Sequence, residues 1–381
     1  MLHGTCNIAV SGNKGSPLLS VSVKLHASNN MALASNILVK QGIQEFQGRL
    51  PPGWHLSDVR IEDSRDSGID AVAALHAPSG QVGRIAFETR ARLAPRDVAG
   101  LVEYVHTRAM QVQAVLIVVA PYLSESTRTR LREREVGYLD LTGNARIIVP
   151  EPGLFIETQG ATKDPDLENR LARSLRGPKA GRVVRVLIDH KHPPGVRELA
   201  ALTGLDAGYV SRILAFLDKE ALITRVGHGR IQSVDWPALL RHWARDAPLE
   251  SRGNVQSYLE PRGLSSLVKR LAAVKQHAVT GSLAANVFAP VAPPRLATVW
   301  ILNVPEASTR LGLRRVETGA NVLLIEPGDA GVFVGATNQQ GFCCAAPSQV
   351  AADLLTSPGR GPAEGEELIN WMQAHEEEWR R

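Results

Sequence analysis

The chain has 381 residues, 44% hydrophobic and 21% charged, with a formal net charge of +5. That balance excludes an intrinsically disordered chain and allows two or three domains with cores of their own, while the mild positive excess means that any nucleic-acid binding must be local. The three cysteines, Cys6, Cys343 and Cys344, offer neither a disulfide framework nor zinc-ligand spacing, and no apolar run nears the roughly 20 residues that span a bilayer, so a cytoplasmic protein with no membrane segment, bound metal or cofactor is expected.

Residues 1–30, rich in Gly, Ser and Asn, show no sustained periodicity and read as a poorly organised arm. From Met31 the segment MALASNILVKQGIQEFQGRL has the spacing of an amphipathic helix that ends before Pro51-Pro52. Strand patterns follow at His55–Ile61, Ile69–His76 and Gly83–Glu88, then a helix over Pro95–Thr107. The continuous apolar run Ala114–Ala120 predicts a buried strand, Ser124–Glu135 a helix capped by Ser124, and Gly137–Val149 with Gly153–Glu157 a closing hairpin. Within the hairpin, Asp140 and Asn144 flank Thr142-Gly143 as side chains suited to bonding a turn. The expected product is an α/β domain over 31–160.

Asp70 on one strand and Glu88-Thr89-Arg90 at the end of the next, with Glu45 on the leading helix, resemble the arrangement of the PD-(D/E)XK nuclease fold, as does the element order. The resemblance implies a divalent metal and a lysine beside a scissile phosphate. Arg90 stands where that family has lysine, and a guanidinium cannot deprotonate to act as a base. An inactive nuclease-like scaffold is therefore expected, with no catalytic residues and no metal.

Between 161 and 180 the chain reads as a basic linker, and from Arg170 to Arg185 every third residue is basic: Arg170, Arg173, Arg176, Lys179, Arg182 and Arg185. Such a strip binds a polyanion through counterion release. It leads into GVRELAALTGLDAGYVSRILAFLDKEALITRVGHGRI, residues 195–231. Val196, Leu199 and Ala200 share one helical face, and Val210, Ile213, Leu214 and Leu217 share another. Gly204 supplies the turn between them, and Asp206 stands where a carboxylate caps the second helix. The remaining face at the start of that helix presents Ala207, Tyr209, Ser211 and Arg212, groups able to reach base edges in a major groove. Ile223–Val226 and Arg230–Val234 pair around Gly227-His228-Gly229, placing Arg225, His228 and Arg230 near the tip of a wing. The order is that of a winged helix-turn-helix over 181–248, completed by a helix from Trp236 to Trp243.

After a polar stretch through Arg252-Gly253-Asn254, an α+β domain is expected over 258–381: a helix over Leu264–His277, strands at Ala278–Thr280, Ala297–Asn303, Val322–Ile325 and Gly331–Ala336, and helices at Pro347–Thr356 and Ala363–Glu377. Gly281-Ser282 at a helix start suits a nucleotidyltransferase, but Thr298-Val299-Trp300-Ile301-Leu302-Asn303 carries no acid for two-metal chemistry. The segments HAVTGSLAANVFAP, ANVLLIEPGD and PSQVAADLLTSPGRGPAEGEELINWM resemble the C-terminal domain of AbiEi-type antitoxins. That resemblance implies an autorepressing antitoxin of a type IV toxin–antitoxin system, functionally paired with a nucleotidyltransferase toxin without a stable complex. In that family the winged helix sits near the N-terminus, whereas here a nuclease-like domain precedes it.

The sequence thus predicts a mixed α/β multidomain protein and a sequence-specific regulator of double-stranded DNA. Tyr209, Ser211 and Arg212 would read bases, and Arg225, Arg230 and the basic strip would hold phosphates. Palindromic sites favour a homodimer. Two alternatives use the same residues differently: a metal-dependent endonuclease built on Glu45, Asp70, Glu88 and Arg90, and a protein-interaction scaffold.

Overall fold

The computed structural model describes residues 36–62, 68–165, 174–226 and 230–381. The expected arm at 1–30, together with Arg170, Arg173 and His228, lies outside the described residues. The chain divides into two compact units, with the break between Leu167 and Glu168. Both are mixed α/β, and no single helix among the described residues is long and apolar enough to cross a membrane.

The described part of the first unit begins with helix α1, over 36–48. It continues through β1 (His55–Ile61), β2 (Ala71–His76), β3 (Val82–Thr89), α2 (Val98–Gln111), β4 (Val115–Ala120), α3 (Glu125–Glu133), β5 (Gly137–Asp140), β6 (Ala145–Val149) and β7 (Leu154–Thr158). The seven strands form one sheet in sequence order. Strands β3, β4 and β5 are parallel and the rest antiparallel. The central strand β4 reads VLIVVA because a strand covered on both faces needs apolar side chains on both. Period-2 alternation sends Ile85, Phe87, Ile117 and Val119 to one face, where α1 packs with Leu38, Val39, Ile43 and Phe46. It sends Ala86, Leu116, Val118 and Ala120 to the other, under Val98, Leu101 and Val105 of α2 and Leu131 of α3. Phe46 meets Phe87 edge to face, ring centroids 5.4 Å apart.

The second unit opens with α4 (Pro178–Asp189), α5 (Val196–Thr203), α6 (Ala207–Lys219), the hairpin β8 (Ile223–Val226) and β9 (Arg230–Val234), and α7 (Trp236–Asp246). It proceeds through β10 (Gly253–Leu259), α8 (Leu264–Leu271), β11 (His277–Thr280), α9 (Gly281–Phe288), β12 (Ala297–Ile301), α10 (Val304–Arg310), β13 (Arg314–Arg315), β14 (Val322–Pro327), β15 (Thr337–Gln339), β16 (Phe342–Cys344), α11 (Pro347–Leu354), α12 (Gly361–Ala374) and α13 (Glu376–Trp379). Its seven-stranded sheet has the order β13-β10-β14-β12-β11-β16-β15.

Several expectations need correction. The sequence pattern separates a helical module at 181–248 from an α+β domain at 258–381, but a single hydrophobic core runs through both, from Leu175 and Val184 to Trp300 and Ile369. Arg241 of α7 pairs with Glu366 of α12, and Trp236 Nε1 donates to Glu376 Oε1 at 2.6 Å. The polar stretch after α7 is not a boundary: Gly253 and Asn254 begin β10, which pairs with β14 inside the sheet. Nor is 161–180 a linker throughout. Gly177-Pro178 starts α4, because proline at the first helical position gives up only an N–H that would be orphaned anyway. The expected strand at Gly331–Ala336 is instead a 3₁₀ turn over Ala330–Phe333, nucleated by Asp329 Oδ1 accepting from the Gly331 amide at 2.8 Å.

Candidate functional site

Helices α5 and α6 meet at 115° across a three-residue turn, within the range of a helix–turn–helix pair. Gly204 makes that corner. Its φ of +66° is left-handed, and no atom lies within 4 Å of where a Cβ would sit, so the demand for glycine there is conformational. Asp206 then caps α6, its Oδ1 accepting from the Tyr209 amide at 3.0 Å. A Cβ on Gly208 would come within 2.9 Å of that carboxylate oxygen, so the glycine leaves the cap its place.

The apolar stripe of α6, Val210, Ile213, Leu214 and Leu217, is buried. Ala207, Ser211 and Arg212 lie on the exposed side, as the sequence predicts, and Gly208 and Ala215 share it. The sequence pattern missed those two; the signal available was the same helical offset of three to four residues that identified Ser211. Tyr209 differs from the expectation of a free base-reader. It is half-buried against the core, burial pushes its hydroxyl pKa up, and the Arg212 guanidinium lies 5.8 Å from its ring centroid. The ring is a platform that orients Arg212.

Strands β8 and β9 pair antiparallel with a bulge after Thr224, and Arg230 is exposed at the start of β9. Arg225, on β8, is half-buried. Lys179 is exposed in the first turn of α4. Two members of the basic strip are committed elsewhere. Arg185 has a side chain only 5% exposed; it ion-pairs with Asp189 and donates to Gln349 Oε1 at 2.7 Å and to the Val334 carbonyl at 2.7 Å. It is a core residue, and its assignment to DNA phosphates is withdrawn. The reason is helical periodicity: three residues on from Arg182 and four before Asp189, Arg185 falls on the face that α11 covers. Arg182 grips Asp329 through Nε and Nη2 and donates from Nη1 to the Thr203 carbonyl at 3.2 Å, which ties α4 to the end of α5. This contact raises the Arg182 pKa and lowers that of Asp329. A DNA phosphate would have to displace a fork-shaped carboxylate partner, so Arg182 is no longer assigned to phosphate binding.

In the first unit the structure brings Asp70, Glu88 and Arg90 together but leaves Glu45 apart. Glu45 sits on the exposed side of α1, paired with Arg49. Glu88 shares the strand parity of Ala86, which faces α2, whereas α1 covers the opposite face. Asp70 Oδ2 accepts from both the amide and the hydroxyl of Thr89, each at 2.6 Å. Glu88 is 2% exposed and its Oε1 accepts from Arg90 Nη1, which also donates to the Thr89 carbonyl at 2.9 Å. Burial, then the neighbouring Asp70, pushes the Glu88 carboxyl up to about 7 against the opposing pull of Arg90. A divalent cation does not fit this arrangement. Arg90, a permanent cation, already donates to Glu88 Oε1, and no group of three potential ligands occurs among the described residues.

The hairpin after β5 is a closed network. Asp140 is fully buried and accepts from the amides of Leu123, Thr142 and Asn144, from the Thr142 hydroxyl and from Asn144 Nδ2. Asn144 Oδ1 in turn accepts from the Gly160 amide and from Arg128. Every lone pair of Asp140 is engaged, so the cluster holds the hairpin.

No protein-family model, no curated protein and no solved structure matches this chain significantly.

Proposed function

We propose that the chain is a sequence-specific, non-enzymatic DNA-binding regulator whose winged helix lays α6 in the major groove. One observation carries this reading: α6 is capped, anchored by a buried stripe, set at 115° to α5, and turns Ala207, Gly208, Ser211 and Arg212 outward. Small residues at the N-terminal end of such a helix let its backbone approach a base pair. Arg212, braced by Tyr209, is placed to donate to a guanine edge, and Ser211 to bond a base or phosphate. Lys179 and Arg230, exposed on flanking elements, supply phosphate contacts that fix the register.

The finer reading is an autorepressing antitoxin of a type IV toxin–antitoxin system, acting as a homodimer on its own operator and functionally paired with a nucleotidyltransferase toxin. It is supported by the resemblance of residues 260–375 to AbiEi-type antitoxins. This reading ranks above a metal-dependent endonuclease because Arg90 already donates to Glu88 Oε1. Binding isotherms on the chain's own upstream duplex and a random duplex test the DNA-binding reading. Arg212→Ala should weaken specific binding by about 1–3 kcal/mol and relax preference at one position, whereas Lys179→Ala should weaken both duplexes alike and reduce the salt slope by about one. Equal losses on both duplexes from Arg212→Ala would remove α6 as the reading element.

A further inference from the structure

A cavity of about 110 Å³ lies inside the second unit, between the N-terminal end of α4, the side of α7 and the turn that follows β14. Its wall includes Trp243, and Arg176, Arg182, Arg185 and Arg252 surround it. Gly181 lets α4 approach that wall closely: a Cβ there would sit 3.3 Å from the Trp243 ring.

The charge around the cavity is unbalanced. Arg182 pairs with Asp329, Arg185 with Asp189, and Arg252 with Asp353. Among the described residues, three of the four lining guanidiniums have a carboxylate partner and Arg176 has none. The N-terminus of α4 adds to its charge, since the N-cap residue is Gly177 and no side chain accepts from the first-turn amides. Arg252 carries the independent sign of a missing partner. Its side chain is 9% exposed and stacks 5.0 Å from the Trp243 ring centroid, and its Nη2 donates to the Ala352 carbonyl, but the buried Nε has no hydrogen-bond acceptor. A buried donor left unmade costs about 1–3 kcal/mol unless something satisfies it.

We infer that this cavity binds a small planar carboxylate, of the size of one aromatic ring with its acid group. The apolar wall and Trp243 would hold the ring, and the charge of Arg176, the unbonded Nε of Arg252 and the α4 amides would hold the carboxylate. At about 110 Å³ the cavity is smaller than the dry cavity of about 150 Å³ that takes up benzene, so a single ring is the most it holds and the acid group would lie at its exposed Arg176 end. Arg182 links the cavity to the DNA-reading element, because the same guanidinium that lines the wall holds the Thr203 carbonyl at the end of α5. That link rests on the proposed DNA binding; the ligand site does not, and it is tested without DNA.

The test is isothermal titration of the full chain with benzoate, salicylate and uncharged benzamide, repeated on Arg176→Glu. Arg176 is exposed, so the reversal leaves the fold intact. The expected result is one site for benzoate or salicylate, at least tenfold weaker binding of benzamide, and at least a tenfold loss for either acid in Arg176→Glu. No heat from either acid at millimolar concentration would overturn the proposal. Benzamide binding as well as benzoate would overturn the anionic character of the site, and acid binding unchanged by Arg176→Glu would overturn its location.

Discussion

Asp206 Oδ1 accepts the Tyr209 amide at 3.0 Å, and through that single bond the turn residue fixes where α6 begins and which of its side chains face outward. Removing the carboxylate by Asp206→Ala should cost about 1 kcal/mol of stability, the usual value of an N-cap, while Asp206→Asn should cost little. Thermal unfolding of the three proteins checks this. A melting temperature for Asp206→Ala equal to that of the parent would mean that packing alone starts the helix.

The corner residue makes a sharper case. Gly204→Ala introduces no clash, because nothing lies near the new methyl, yet it places a Cβ on a backbone with φ of +66°. The expected penalty is about 1 kcal/mol, and it should appear in denaturant titrations as a lower midpoint with an unchanged slope. A neutral or stabilising substitution would show that the turn relaxes out of the left-handed region.

Arg185 separates a core role from a DNA role. Replacing it with Met removes a guanidinium that serves Asp189, Gln349 and Val334 and leaves their polar atoms buried, at a cost of about 3 kcal/mol. Once folded, the variant should keep the parent's affinity for duplex DNA and the same salt slope. A reduced salt slope with unchanged stability would return Arg185 to the phosphate-binding surface.

Glu88 gives the first unit a dependence on pH. Its carboxyl is raised from about 4.5 to about 7 in the fold. Between those values the folded state holds the proton more tightly than the unfolded chain, so stability is greatest below about pH 4.5 and is lost as pH rises through about 7, with an upper limit near 3 kcal/mol. Unfolding measured at about pH 5 and pH 8 should show this fall, and Glu88→Gln should flatten it and stabilise the protein at the higher pH. A parent whose stability is level across that window would mean that Arg90 compensates Glu88 fully.

Local rules made much of this legible in the sequence. The stripe Val210–Leu217, the glycine corner and the Asp206 cap depend on neighbours three or four residues apart, and α5, α6 and the hairpin stand where those patterns place them. The burial of Arg185 was not legible, because its partners Gln349 and Val334 lie over 140 residues away, and a basic residue repeating every third position looks the same whether its face meets solvent or α11. Nor was the shared core: β10 begins in a polar stretch and gains its place by pairing with β14 and β13. In the first unit, the resemblance to the nuclease element order already placed Glu88 beside Asp70. It could not show that α1 lies on the opposite face and carries Glu45 away from them.

The central claim is that α6 reads DNA, and the most direct test is binding of the full chain to a duplex of its own upstream region and to a random duplex of equal length, at two salt concentrations with magnesium present. The account predicts a selective, salt-sensitive complex, no cleavage, and loss of the selectivity in Arg212→Ala. Equal affinity for both duplexes, or no salt-dependent binding to either, would contradict it.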